Sequence, residues 1–355
     1  MTKRRTITLG GGAVGLLLLL AGCAWFGGTH AVIDVSVESG VVPLTIAFDG
    51  RSSDGRGGIA SYQWNFGTGD ATYEPNGTYT YEQAGRFTLT LTVRDADGRI
   101  DVVTMEIDVS PAIWTCDENL QRVYKLNTAG DVLQTIDLAT SEPRGIAVVN
   151  TGGQDWLYVA CRGGGNQRLL KVDPSTGAVD ADFPAPAQDP LYLTFGGADP
   201  ERLWHVDGLS RNIYAINHNN GQVLSVFGTN YFRASAQVGG EAFLLTPQGL
   251  AWTPAPPSSG DLWYLEGDTH LLYRLHIVPP VGIFGGIQLT IDTEPVEVDE
   301  TVFPVAGMDW YDGGLWVVDR DDHRIVEIDP ETGARTGEVI EGFPGAATSG
   351  LDIQG

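Results

Sequence analysis

One phrase recurs five times in this chain, and the recurrence limits what its larger part can fold into. Each copy is an apolar stretch, a polar turn and a second apolar stretch, and the copies start at residues 113, 157, 203, 262 and 315. A shorter apolar phrase, such as Pro-Arg-Gly-Ile-Ala-Val-Val from Pro143, stands before the later copies. Starts that lie 44 to 59 residues apart are typical of four-stranded β-propeller blades. The sequence therefore predicts an all-β propeller over residues 111–355.

The two ends of the repeat indicate how the propeller closes. The first copy, at Ile113, lacks the shorter phrase, and the chain stops after one such phrase at Gly350-Leu351-Asp352-Ile353. Pairing of this last strand with the first copy would remove two open sheet edges. Five blades closed by the C-terminal strand are therefore favoured, with six as the alternative. The stretches 228–247 and 279–304 are too short for a blade and are interpreted as long loops or strand extensions.

The N-terminus indicates where the protein is sent. Lys3, Arg4 and Arg5 precede a short apolar run from Ala13 to Leu20, which is typical of a signal peptide and too short to span a membrane. The Leu-Ala-Gly-Cys string that ends at Cys23 resembles the lipobox of prokaryotic lipoproteins, which implies cleavage before Cys23 and lipid on its sulfur. An ordinary secretory signal is the alternative. We expect an extracytoplasmic, membrane-anchored protein with a leader at 1–22 and a lipidated tether at 23–30.

The charge of the chain limits its partners. Its formal net charge is −24, and loss of the leader, which contains three basic residues and no acidic one, would make it −27. Such a surface repels nucleic acid and anionic lipid and favours a soluble monomer. We interpret most of the acid excess as solvated surface. Calcium is the one cofactor that the excess leaves open, and none is certain.

A separate domain precedes the propeller. Residues 31–110 alternate apolar and polar positions between turns, which predicts a small Ig-like β-sandwich. Ser52-Ser53-Asp54, the string Ile59 to Gly69 and the string Leu91 to Gly98 resemble the polycystic kidney disease (PKD) domain. The family's Trp-Asp-Phe-Gly-Asp-Gly reads Trp-Asn-Phe-Gly-Thr-Gly here. PKD-like domains act mainly as extracellular spacers and as binders of protein or carbohydrate, so the resemblance implies display.

Four copies of the long phrase carry an acid at their fifth position. In form these copies resemble NHL repeats, a likeness that implies the fold more strongly than a function. We favour the interpretation that each carboxylate accepts backbone N–H bonds in the turn that follows its strand. The alternative is a ring of acids that binds a cation or a polyol. The four residues are Asp117, Asp207, Glu266 and Asp319.

The inner strands hold a second pair of candidate residues. Asp309 and Asp352 occupy the third position of the Gly-Met-Asp and Gly-Leu-Asp phrases, where the earlier blades have Ala147, Thr194 and Ala251. Inner strands line the channel of a propeller, so two carboxyl groups from adjacent blades could hold a metal or shift each other's pKa. Solvation of both acids in a water-filled channel is the alternative.

Two cysteines remain after Cys23. Cys116 and Cys161 stand one residue out of register in their copies, so we expect their side chains to face opposite sides of their sheets. A disulfide between them is possible in an oxidising compartment but is not favoured.

Three functions remain open. The favoured one is a lipid-anchored, noncatalytic protein whose propeller presents a protein-, peptide- or glycan-binding face on a PKD-like spacer. The second is a lactonase or other hydrolase whose channel carboxylates hold calcium. The third is a structural cell-surface module. The sequence contains no Gly-x-Ser-x-Gly, His-Glu-x-x-His or phosphate-binding Gly-x-x-x-x-Gly-Lys motif, which favours the noncatalytic interpretation.

Overall fold

A computed structural model describes most of the chain. The leader and Cys23 lie outside the described residues, as does most of the tether. No helix in the described ranges is long and apolar enough to cross a membrane. Apart from a 3-10 turn at Glu300–Val302, the regular elements of these ranges are β-strands. The described ranges are 28–139, 141–163, 165–197, 202–228, 246–253, 260–278, 288–291, 294–341 and 348–355.

The N-terminal domain is a two-sheet sandwich. Its strands are β1 (Asp34–Val35), β2 (Ser39–Val41), β3 (Leu44–Asp49), β4 (Ile59–Asn65), β5 (Ala71–Thr72), β6 (Asn76–Tyr81), β7 (Gly85–Asp95) and β8 (Ile100–Ser110). One sheet has the order β1-β3-β6 and the other β2-β8-β7-β4-β5. Alternate residues of β7 (Leu89, Leu91 and Val93) are fully buried, as the period of two in a strand requires. Trp64 is also fully buried and packs on Phe48, with ring centroids 4.9 Å apart.

The C-terminal part is a β-propeller whose strands lie in five antiparallel sheets, four with four strands and one with five. The first sheets use β9 (Ala112–Asp117), β10 (Arg122–Leu126), β11 (Val132–Asp137), β12 (Glu142–Thr151), β13 (Gln154–Arg162), β14 (Arg168–Val172), β15 (Val179–Pro184), β16 (Pro190–Gly196), β17 (Arg202–Asp207), β18 (Asn212–Ile216) and β19 (Val223–Gly228). The later sheets use β20 (Pro247–Thr253), β21 (Asp261–Glu266), β22 (Leu271–Val278), β23 (Gln288–Ile291), β24 (Val296–Glu297), β25 (Val305–Tyr311), β26 (Gly314–Asp319), β27 (Arg324–Ile328), β28 (Arg335–Glu341) and β29 (Thr348–Gln354).

Within each sheet the neighbouring strands are consecutive in sequence, except that the last strand of the chain joins the first sheet. From inner to outer strand the orders are β29-β9-β10-β11, β12 to β15, β16 to β19, β20 to β23 with β24 beside β22, and β25 to β28. The stretch 279–304, interpreted above as a loop or a strand extension, thus supplies the outermost strand of the fourth sheet. Most of the stretch 228–247 lies outside the described residues.

The inner strands surround a channel. Strands β12, β16, β20, β25 and β29 contact one another in that order, and β29 contacts β12 again. β29 pairs antiparallel with β9, and Leu351 lies opposite Thr115. Each inner strand contains a bulge near its start. The register places equivalent residues at the five bulges: Gly145, Tyr192, Gly249, Gly307 and Gly350.

Candidate functional site

The acids at the fifth position of the long phrase are each engaged in a turn. Asp117 is buried, and its Oδ1 accepts hydrogen bonds from the backbone N–H groups of Asn119 and Leu120, at 2.9 and 2.8 Å. Gln121 follows with a left-handed φ of 56°. The carboxylate therefore satisfies the N–H groups of a tight turn, a role for which aspartate is suited.

The other three acids are engaged in the same way. Asp207 accepts from the N–H groups two and three residues on, and its second oxygen accepts from the N–H of Asp189. Glu266 accepts from the N–H groups of the two corresponding residues and of Thr246. Asp319 accepts from the N–H three residues on and forms a 2.7 Å ion pair with Arg324. The structure thus gives each acid its own turn, in its own sheet.

Asp309 and Asp352 lie in neighbouring inner strands, β25 and β29. The Oδ2 atom of Asp309 accepts a 2.7 Å hydrogen bond from the N–H of Ile353 in β29. The Oδ2 atom of Asp352 accepts a 3.0 Å bond from the N–H of Val148 in β12. The carboxyl group of Asp309 therefore links β25 to β29, and the carboxyl group of Asp352 links β29 to β12. The C-terminal strand β29 takes part in both links. The structure brings this predicted pair together.

Burial raises the pKa of both carboxyl groups. For Asp309 the charge of Asp352 adds to the effect of burial, and the backbone hydrogen bond from Ile353 opposes it, so the pKa stays well above its usual range. For Asp352 burial outweighs the hydrogen bond from Val148, and the charge of Asp155 adds to burial, which raises the pKa to about 7. At neutral pH the pair therefore retains at least part of a proton, because two adjacent buried carboxyl groups resist joint ionisation.

This shift predicts how stability depends on pH. The folded-state pKa of Asp352, about 7, lies above its unfolded value of about 4, so its contribution is fully present below pH about 4 and is lost as the pH rises through 7. We expect wild-type protein to lose about 2 kcal/mol more unfolding free energy between pH 5 and 8 than Asp352→Asn does. Urea unfolding at both pH values measures this difference. Asp321→Asn, on an exposed turn, is the control and should follow wild type; a loss in Asp352→Asn equal to that of wild type would contradict the shift.

The two carboxyl groups line a cavity at the end of the channel where the inner strands finish. Its volume is about 510 Å³. The propeller contributes two sets of equivalent inner-strand positions to its wall. The third position gives Thr194, Asp309 and Asp352, and the fourth gives Val148, Phe195, Trp252, Trp310 and Ile353. We call the part of this wall formed by Asp155, Thr194, Trp252, Asp309, Trp310 and Asp352 the aspartyl mouth.

The two tryptophans of the aspartyl mouth are partly exposed and firmly packed. Trp252 stacks on Trp204, with ring centroids 6.4 Å apart and planes 7° apart. Trp310 stacks on Trp263, at 6.1 Å and 7°. A Cβ atom at Gly196 would lie 2.1 Å from the Trp252 ring, so glycine is needed there for the indole to lie flat. The aspartyl mouth therefore has two aromatic walls of fixed orientation.

Sequence reasoning found the two aspartates of this mouth and missed its tryptophans and Asp155. A signal for the tryptophans was present, because Trp252 and Trp310 both occupy the fourth position of the inner phrase, directly after its third residue. Asp155 carries no such signal. It accepts hydrogen bonds from the side-chain amides of Asn150 and Gln354, which only the fold brings together. Among the described residues no group of three or more His, Cys, Asp and Glu side chains is placed to hold a metal ion.

The structure places both remaining cysteines in the interior of the propeller. Cys116 and Cys161 are buried free thiols in one apolar cluster between the first and second sheets. Their side chains point to opposite faces of their own sheets, as expected. In successive sheets, however, one face of the first sheet packs against the opposite face of the second, so both side chains lie in the same cluster. Burial raises the pKa of Cys116 to about 12. The thiol of Cys116 donates a 2.6 Å hydrogen bond to the carbonyl of Ser349.

Comparison with known proteins identifies the N-terminal domain. Residues 33–109 match the family model described as PKD domain. A pre-pro-metalloprotease, PrtV, of Vibrio cholerae is 37% identical over 84 residues, which are 23% of this chain and 9% of that protein. A collagenase, ColA, of Bacillus cereus is 43% identical over 146 residues, 35% of this chain and 15% of that protein. The chain thus spans a small part of the length of these relatives.

The chain as a whole has more distant structural neighbours. A streptogramin B lyase structure aligns with 83% of this chain and 95% of its own, at 13% identity and a TM-score of 0.36. A likeness at this level gives no information about activity. The class that fold and site define is therefore an all-β protein with a PKD domain and a propeller whose channel contains a carboxyl and tryptophan-lined cavity.

Proposed function

We propose that this chain is an extracytoplasmic, lipid-anchored binding protein whose propeller takes a neutral sugar or other polyol in the aspartyl mouth. The observation that carries the proposal is the combination in one cavity of two packed tryptophans and two neighbouring carboxyl groups whose pKa values are raised by burial. Ligand cavities of this size are usually lined by aromatic side chains, with a few placed polar groups that orient the ligand.

The chemistry of the carboxyl pair suits hydroxyl groups. A protonated carboxyl group both donates and accepts hydrogen bonds, and so does each hydroxyl of a polyol. Asp352 uses one oxygen for the backbone N–H of Val148, which leaves its other oxygen for a ligand, whereas Asp309 interacts with the backbone N–H groups of both Ile353 and Trp310. Trp252 and Trp310 offer flat apolar faces against which the C–H face of a sugar ring can pack.

A calcium-dependent hydrolase is the second candidate. It is favoured by the closeness of two acidic side chains in one cavity, with Asp155 in the same wall. Calcium takes six to eight oxygen ligands and favours ionised carboxylates, whereas burial keeps the pKa of Asp309 and Asp352 high. Because raised pKa values disfavour the ionised carboxylates that a cation needs, the polyol is the better match.

The location rests on the leader and on the PKD domain. The Leu-Ala-Gly-Cys string that ends at Cys23 supports cleavage and lipid attachment there, and the similarity of 33–109 to parts of a collagenase and a pre-pro-metalloprotease supports a site outside the cytoplasm. We expect Cys23→Ala to abolish incorporation of labelled palmitate and to move the protein out of the membrane fraction. A mutant protein that keeps both label and location would refute the anchor.

We further propose that the propeller has five blades over residues 111–355 and that β29 completes the first blade. The five antiparallel sheets and the pairing of β29 with β9 support this count. Residues 31–110 are then the spacer that separates the propeller from the lipid.

The binding proposal predicts the effect of one tryptophan. We expect Trp310→Ala to lower retention of the full-length protein on insoluble neutral polysaccharides, such as cellulose, chitin and mannan, by about tenfold. Trp156→Ala, a partly exposed tryptophan of β13 outside the aspartyl mouth, is the matched control. Tyr73→Ala tests the sandwich, where this ring is 72% exposed. Retention lost in Tyr73→Ala and kept in Trp310→Ala would transfer the site to the PKD domain.

A further inference from the structure

A histidine is fully buried in the third sheet of the propeller. His205 lies in β17, and its side chain is not exposed to solvent. The second strands of the other four sheets carry Thr115, Val159, Tyr264 and Val317 at the same position. None of those four residue types changes its charge between pH 4 and 8 in the ordinary case. The third sheet therefore contains a titratable group at a position where the repeat otherwise has none.

The hydrogen bond of His205 determines which ring nitrogen carries the hydrogen. Its Nδ1 atom lies 3.3 Å from the carbonyl oxygen of Tyr192 in β16. A carbonyl oxygen only accepts, so the neutral ring carries its hydrogen on Nδ1 and donates it to Tyr192. The Nε2 atom is then a bare acceptor, and it has no hydrogen-bond partner among the described residues. A second proton, added at Nε2, would therefore be buried without an acceptor in this part of the chain.

The groups around the imidazole give little support to a positive charge. Its cross-strand neighbours are Leu193 in β16 and Tyr214 in β18, and the ring of Tyr214 stacks on it at 6.0 Å. Both neighbours belong to the apolar cluster between the second and third sheets, which also contains Ala160 and Leu169 of the second sheet. Apolar side chains from β16 and the second sheet, and one phenol from β18, thus surround the ring.

The carboxylate of Asp207, on the same strand, does not compensate for this burial. Burial lowers the pKa of His205 to about 4, and the charge of Asp207 opposes that effect only in part. Both oxygens of Asp207 are already engaged: Oδ1 accepts from the N–H groups of Leu209 and Ser210, and Oδ2 accepts from that of Asp189. The carboxylate is therefore held in its turn, and an imidazolium ion would gain no direct partner from it.

We propose that His205 is an acid-sensitive latch that holds the second and third sheets together while its ring is neutral. A proton is accommodated only when water reaches Nε2, and this requires the two sheets to separate at their boundary. Because β16 also contributes Thr194 to the aspartyl mouth, opening at this boundary would change the shape of that cavity. The latch does not depend on which ligand the aspartyl mouth binds.

The lowered pKa gives the direction of the pH dependence. An unfolded chain takes up a proton at histidine below about pH 6.5, whereas the folded protein does so at His205 only below a pH of about 4. The neutral ring is therefore compatible with full stability above pH 6.5, and stability is lost as the pH falls from 6.5 to 4. Between pH 7 and 5 we expect the folding equilibrium constant of wild type to fall about 20-fold more than that of a protein without this imidazole.

Urea unfolding of the full-length protein at pH 7 and 5 measures this difference. His205→Gln removes the titration and keeps a polar side chain, and comparison with this variant cancels the contributions of the other titrating groups, Asp352 included. His205→Val copies the second and fifth sheets and is used if His205→Gln does not fold. The matched control is His323→Gln, which should follow wild type. His323 is partly exposed, and the first sheet has Gln121 at the equivalent position, with φ of 56° against 53°.

Hydrogen exchange at the same two pH values locates the opening. After correction for intrinsic exchange rates, we expect wild type at pH 5 to lose about tenfold more protection in β13, β16 and β17 than in β26 and β27 of the fifth sheet. His205→Gln should lose no such extra protection. A buried histidine that only lowers overall stability would reduce protection equally in all sheets. That result would overturn the latch, as would a wild-type protein whose stability falls between pH 7 and 5 by no more than that of the His205 variants.

Discussion

Leu351→Asp is expected to unfold the propeller. Leu351 is 2% exposed and packs with Ile113 and Val318 in the cluster between the fifth and first sheets. The substitution removes this apolar contact and places a charge in an apolar cluster, and each change alone costs several kcal/mol. The expected loss of about 4 kcal/mol or more is a large part of the stability of a domain. Chemical unfolding followed by tryptophan fluorescence measures it.

The same substitution on the outer edge of the same sheet is the control. Leu133 lies in β11 and is 49% exposed, so Leu133→Asp should change the unfolding free energy by less than about 1 kcal/mol. The two variants carry the same charge change and differ only in burial. If both were equally stable, β29 would not be the strand that completes the first sheet.

Gly145→Val is expected to have the second largest effect. A Cβ atom at Gly145 would lie 2.0 Å from the carbonyl oxygen of Leu191 and 2.8 Å from the Cα of Tyr192. Both neighbours are backbone atoms of the next inner strand, so no side-chain rotation relieves the overlap. The inner strands must separate, and we expect a loss of about 3 kcal/mol or more.

A glycine of similar kind in open space provides the comparison. Gly152, in the hairpin between β12 and β13, has a left-handed φ of 66° and nothing within 4 Å of its Cβ position. Gly152→Val should cost about 1 to 2 kcal/mol through backbone strain alone. Thermal unfolding of the two variants separates strain from overlap. A Gly145→Val protein as stable as Gly152→Val would mean that the inner strands are farther apart than described.

Local sequence was sufficient to predict the architecture wherever a feature repeats in every sheet. The paired strands, their turns and the third position of the inner phrase all repeat, and the third position led directly to Asp309 and Asp352. What could not be predicted depends on the circular arrangement. Whether Cys116 and Cys161 meet depends on which faces of successive sheets are adjacent, because strand alternation within one sheet does not determine it.

Two further features break the repeat and were missed for that reason. Strand β23 is the outermost strand of its sheet, and it lies in the stretch 279–304, which was interpreted as a loop or a strand extension. Tyr192 replaces a glycine, but its equivalence to Gly145 becomes clear only once the bulge and the pairing of Leu193 with His205 fix the register. A departure from a repeat indicates function only when the register is known.

A comparison of a neutral sugar with calcium tests the central claim most directly. The full-length protein is titrated calorimetrically at pH 7 with cellopentaose, N-acetylchitopentaose and calcium chloride, each against wild type, Trp310→Ala and Asp309→Ala plus Asp352→Ala. If the aspartyl mouth is a polyol site, at least one oligosaccharide binds saturably, both variants lose that binding, and calcium gives no saturable heat. Saturable calcium binding that disappears in the double variant, with no binding of either oligosaccharide, would contradict the account and make the calcium-dependent hydrolase the better proposal.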